Sequence, residues 1–169
     1  DRFPFWRAFF ESLGRPVLIS GATTRALAGW GTELAVAEPC FPVKVAHGHV
    51  KELLDRGVRH VFLPNVLDEA ASPDATHSHL CPWGQTLPWV IRGVPAFERA
   101  RDEGRFLTPT LHFRLGLAKV RKEILDLAKP LGATRRALEE ALDAAVRADL
   151  AFRSRLEEAG KAALDALHR

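Results

Sequence analysis

Methionine is absent from all 169 residues, and cysteine occurs only twice. A gene product begins with methionine, so a chain opening Asp1-Arg2-Phe3 reads as one processed or excised from a longer polypeptide. Nowhere do about 18 apolar residues follow one another, and no leader pattern is visible. The expectation is a soluble, cytoplasmic chain with no membrane partner. Two cysteines could form a disulfide, yet nothing indicates secretion, and a cytosolic pair is more often metal-binding or catalytic. The chain also lacks a phosphate loop, the dinucleotide fingerprint, any recognised DNA or RNA module and any low-complexity tract.

Charge of one sign is equally scarce. The 24 basic residues are spread among 21 acidic ones for a net charge of +3, which describes a solvated, arginine-rich surface and not a nucleic-acid partner. With 47% hydrophobic and 27% charged residues the chain has material for a core and is not disordered.

What is present gathers around Cys40-Phe-Pro-Val-Lys-Val-Ala-His-Gly-His-Val50 and a shorter echo, Cys81-Pro-Trp-Gly-Gln-Thr-Leu-Pro88. Proline suits the first helical positions, where a missing N–H costs nothing, so Pro42 and Pro82 read as helix starts with the cysteines at or just before the caps. Unpaired N–H groups and the positive end of a helix dipole favour an anion there, and thiolate is the form that attacks or binds metal. At helical spacing Val43, Ala46, Val50, Leu53 and Leu54 share an apolar arc, and Cys40, Lys44, His47 and Lys51 line up beside it. His49 falls on the far side, so the two histidines of His-Gly-His cannot chelate one ion. The expected chemical face is Cys40, Lys44 and His47.

The rest of the chain reads as an α/β fold. Phe5, Trp6, Phe9, Phe10 and Leu13 have the spacing of a buried helix face over residues 3–13, ended by Gly14. Pro16-Val-Leu-Ile-Ser20 suits a strand buried on both faces, and Thr23 or Thr24 caps the next helix. Gly29-Trp-Gly31 marks a turn. Gly57 stops the His-Gly-His helix, His60-Val-Phe-Leu-Pro64 reads as a strand, and 65–80 as a loop delivering Cys81. A short helix runs from Gly84 to Ile91, with Trp89 and Val90 as core, another spans 96–103, and Phe106-Leu-Thr-Pro109 is a last strand or linker. Phe113, Leu117, Val120, Ile124 and Leu127 then follow helical spacing, and Pro130-Leu-Gly132 breaks the run. Thr134 caps a helix of roughly 50 Å. The expected division is an α/β cysteine-bearing domain over 1–110 and a helical hairpin over 111–169. The alternation predicts a Rossmann-like three-layer domain with a short, mainly parallel sheet and its site at the carboxyl ends of the strands.

The cysteine stretch, the opening Phe3-Pro-Phe-Trp-Arg-Ala-Phe-Phe with Leu13-Gly14, the run Val61-Phe-Leu-Pro64, and Cys81-Pro-x-x-Gln with Pro88-x-Val-Ile91 occur in the same order in one known group. Over nearly its whole length the chain resembles the uncharacterised domain of acyl-CoA dehydratase activase-related proteins, distantly related to 2-hydroxyacyl-CoA dehydratase subunits. In that group a short strand precedes this starting point, and the final helix leads into a following domain of the same polypeptide. The dehydratase relatives hold a [4Fe–4S] cluster on cysteines from separate parts of a subunit. The resemblance therefore implies that Cys40 and Cys81 are metal ligands of a cluster completed elsewhere. It further implies that Lys44 offsets cluster charge or meets a CoA phosphate, that His47 lines the same cleft, and that Gln85 hydrogen-bonds a sulfide or a substrate carbonyl. The partner it implies is a separate ATP-dependent activase module, with an acyl-CoA substrate.

Each reading has a plainer rival. Two thiolates do not complete a cubane cluster or a tetrahedral zinc site, and spacing alone leaves ligands and inert buried thiols even. His77 and His79 before Cys81 offer a weaker His/Cys metal site, against which stands a solvated loop. A Cys40–His47 nucleophile and base are two helical turns, about 10 Å, apart, too far for a direct bond. Two functions follow: an iron–sulfur redox component, part of an ATP-dependent reductase or dehydratase-like enzyme, or a non-catalytic docking domain whose cysteines are structural.

Overall fold

A computed structural model describes residues 2–70 and 77–167. In chain order the helices are α1 (Phe3–Ser12), α2 (Arg25–Leu34), α3 (Phe41–Asp55), α4 (Pro82–Arg92), α5 (Glu98–Asp102), α6 (Leu117–Glu123), α7 (Ala128–Leu131) and α8 (Arg135–Leu167). The strands are β1 (Val61–Phe62), β2 (Asn65–Asp68), β3 (Phe106–Leu107) and β4 (Thr110–His112). These form two compact units, residues 18–131 and residues 1–17 with 132–169. The grouping differs from a division near residue 110.

Within residues 18–131 both strand pairs are parallel, β1 with β3 and β2 with β4. They are two stretches of one ladder. Val61, Leu63 and Asn65 donate in turn to the carbonyls of Arg105, Leu107 and Pro109 at 2.8–2.9 Å, the every-second-residue rhythm of a parallel pair. Pro64 and Pro109 have no N–H to give, and the assignment breaks there. The mixed, parallel character agrees with the sequence, but β2 lies where a loop is expected. The remainder of that expected loop includes residues 71–76, outside the described residues.

Helix and strand meet in a core of Val50, Val61, Ile91, Val94, Phe97, Ala100 and Phe106. β1 and β3 contribute their short apolar runs, while α3 and α4 lay one face each on the cluster. α2 crosses α3 at unusually close range. A Cβ on Gly31 would sit 2.1 Å from the Lys44 carbonyl oxygen, and one on Gly48 would sit 2.2 Å from that of Leu27. Gly29-Trp-Gly31 is inside α2 and not a turn, and Gly31 serves the helix contact. Thr24 caps α2 by accepting from the Leu27 N–H at 3.2 Å.

Three other expectations are corrected. Residues 16–20 form no strand, and Leu18 and Ile19 stay 45% and 53% exposed, because no strand among the described residues runs beside them. Trp89 is not core but 52% exposed, with the Arg92 guanidinium 5.2 Å over its ring. Residues 113–127 are not one helix: Gly116 at φ 82° separates a 3-10 turn from α6, and a second 3-10 turn follows at Ile124–Leu127.

In the other unit α1 packs on α8. Phe5, Trp6 and Phe9 form successive edge-to-face pairs at 4.8 and 5.6 Å. Leu138, Ala141, Leu142 and Ala145 are buried on the α8 side, the alanines leaving room for the rings. Gly14 ends α1 with φ 66°, and Thr134 caps α8 at the Ala137 N–H. Beyond Asp149 every residue of α8 through Leu167 is exposed.

Candidate functional site

Both cysteines sit where the sequence puts them. Cys40 is the N-cap of α3 and Cys81 the N-cap of α4, each in extended backbone with a proline in the first turn. Their carbonyls accept the opening helical bonds, Cys40 from Val43 at 3.0 Å and Cys81 from Gln85 at 3.0 Å. Neither thiol bonds to its own helix, and both are free and exposed. That removes the inert buried-thiol reading, since accessible sulfur is what coordination or reaction requires.

α3 ends at Asp55, and five residues later the chain enters β1, against which α3 packs. Its 15 residues rise about 22 Å, comparable with the ladder length. The segment before Cys81 runs antiparallel to β2 and leads back along it from Asp68. The Leu80 N–H donates to Leu67 of β2 at 3.1 Å, the Glu69 N–H donates to Ser78 at 2.8 Å, and Asp68 bridges His79. α3 and α4 also pack on one another.

The side chains proposed to accompany the thiols are placed differently. Gln85 donates its amide to the Leu80 carbonyl at 2.6 Å and so holds the turn that presents Cys81. Lys44 pairs with Glu38 at 2.5 Å, its side chain 17% exposed. His47 lies on the buried side of α3, fully enclosed, with Nδ1 2.7 Å from the Val43 carbonyl and Nε2 without a partner among the described residues. The proton therefore sits on Nδ1. His49 turns away to Thr23 at 3.0 Å, as the helical geometry requires. His79 is drawn to β2 through its backbone, and both it and His77 are exposed.

A second constellation at the carboxyl edge escapes sequence reading. His112, the last residue of β4, is held by Glu123 of α6 through its backbone N–H at 2.9 Å and its Nδ1 at 2.7 Å. Lys119 reaches the same carboxylate at 3.2 Å. Burial pushes the Glu123 carboxyl up, but the hydrogen bonds from His112 and Lys119 outweigh it and hold the group below the usual carboxylate range. Asp68, buried beside it in the ladder, accepts the Arg114 N–H at 2.8 Å. The separation of Glu123 from His112 follows no motif, and a histidine ending an apolar run is the only hint in the sequence. Among the described residues no three His, Cys, Asp or Glu side chains are arranged to hold a metal ion.

Compared with known families, residues 1–169 match the model of the CoA enzyme activase uncharacterised domain. The chain belongs to that family. This CoA enzyme activase domain thus bears out the resemblance carried by the cysteine motifs. No curated protein and no solved structure matches it. No helix among the described residues of the domain is long and apolar enough to cross a membrane.

Proposed function

We propose that this activase-family domain supplies Cys40 and Cys81 as two ligands of an iron–sulfur cluster whose remaining ligands come from outside the chain. The carrying observation is that both thiols are exposed at the N-caps of proline-started helices that pack on one another. The donor set fits a partial site: thiolates are the usual cluster ligands, four are usual for a cubane, and this chain has two. Such a cluster supplies one-electron transfer.

The chain's own residues present and orient the sulfurs. Gln85 fixes the approach to Cys81, and unpaired helix N–H groups favour negative charge beside each cysteine. Lys44, freed from Glu38, adds a positive charge on α3, while His47 acts from within by bracing the first turns of that helix. In this reading the domain is Rossmann-like and three-layered, for which the parallel ladder speaks. It takes low-potential electrons from an ATP-dependent activase and serves an acyl-CoA dehydratase- or reductase-like reaction in the cytoplasm.

Iron and acid-labile sulfide analysis after anaerobic reconstitution tests the reading. The isolated chain is expected to hold substoichiometric iron. With the activase module and the following domain present, iron should rise, and Cys40→Ser or Cys81→Ser should each lower it. Iron that stays absent in the assembled system, or that survives both substitutions, leaves the docking-domain reading, which the uncovered half of α8 favours.

A further inference from the structure

The face of α8 that α1 covers continues after α1 ends. At 3.6 residues per turn the buried side through Leu142, Ala145 and Asp149 runs on into Phe152, Leu156, Ala159 and Ala163. Phe152 and Leu156 are 37% and 59% exposed there. A seam that is aromatic-packed in its first half is bare in its second.

Gly160 borders the same face. A glycine inside a helix costs ~1 kcal/mol relative to alanine, and this one has ordinary helical backbone. Gly31 and Gly48 are explained by carbonyls that leave no room for a side chain, but nothing lies within 4 Å of a Cβ on Gly160.

We propose that this face joins two copies of the chain, the second halves of their α8 helices pairing antiparallel. In that register Phe152 seats on the partner's Ala163, and Leu156 on the partner's Ala159. Large residues stand at one end of the stripe and small ones at the other, so reversal matches each with its complement. Parallel pairing sets Phe152 against itself and leaves the alanines facing a gap. Charge agrees. Arg155 and Glu158 share one border of the stripe. Among the described residues Arg155 bonds its own helix at Ala151, and Glu158 meets Ser154 at 3.4 Å. Antiparallel pairing brings Arg155 to the partner's Glu158 twice over, while no such pair forms in the parallel arrangement. The helix dipoles then also oppose.

Sedimentation equilibrium of the whole chain tests this. A concentration-dependent dimer is expected. Leu156→Asp should be monomeric with unchanged helical circular dichroism. Arg155→Glu should weaken association roughly tenfold, and Arg155→Glu with Glu158→Arg should restore it. For direction, Phe152→Cys and Ala163→Cys are made in a Cys40→Ser, Cys81→Ser background and oxidised with copper phenanthroline. Their mixture should form a disulfide-linked dimer, and neither alone should. A monomer at every concentration, a dimer indifferent to Leu156→Asp or Arg155→Glu, or cross-linking of either cysteine variant by itself overturns the proposal.

Discussion

Gly48 of α3 lies so near the Leu27 carbonyl of α2 that a Cβ there would stand 2.2 Å from the oxygen. The contact fixes where α3 sits, and hence where its first turn presents Cys40. Gly31 makes the reciprocal approach to Lys44.

Gly31→Ala and Gly48→Ala should each destabilise the chain by about 3 kcal/mol or more, because the obstacle is backbone and cannot step aside. Gly29→Ala, two residues away in the same helix with nothing within 4 Å, should stabilise by up to about 1 kcal/mol. Urea denaturation of the three variants checks the opposite signs. Equal losses at Gly29 and Gly31 would remove the close crossing from the account.

Glu123 makes stability depend on acid pH. Its carboxyl is held low in the folded chain, so its contribution is complete above the ordinary carboxylate range and is lost as pH falls through the folded value. Glu123→Gln should cost about 1–2 kcal/mol at neutral pH, and the gap to the unaltered chain should close in acid. Denaturation midpoints at the two pH values decide, a constant gap counting against the assignment.

Asp149 ties α1 to α8. It is 7% exposed and accepts from Arg2 at 3.3 Å and Arg153 at 2.9 Å. Asp149→Asn keeps the shape and loses the charge, and should lower stability by about 1–2 kcal/mol, with more loss at low salt than at high. Thermal unfolding at two ionic strengths measures it.

Local chemistry made much of this fold legible. Pro42 and Pro82 announce helix starts, Gly14 and Gly57 announce stops, and the caps at Thr24 and Thr134 are written in side chains that accept backbone N–H groups. Tertiary choices were hidden. Gly31, which with Gly29 signals a turn, serves a helix crossing, a strand-like run at 16–20 has no neighbour to pair with among the described residues, and a helical period at 113–127 yields to Gly116. At the site the cysteines were readable from position, whereas the enclosure of His47 depends on packing, and the His112–Glu123 link on where α6 folds back to β4.

The account rests on Cys40 and Cys81 serving one site, and a short bis-maleimide followed by intact-protein mass measurement tests that most directly. One reagent per chain with both thiols consumed, and with neither Cys40→Ser nor Cys81→Ser able to form the bridge, is the predicted result. Two reagents per chain, one hanging from each cysteine even at limiting reagent, would place the sulfurs apart and contradict it.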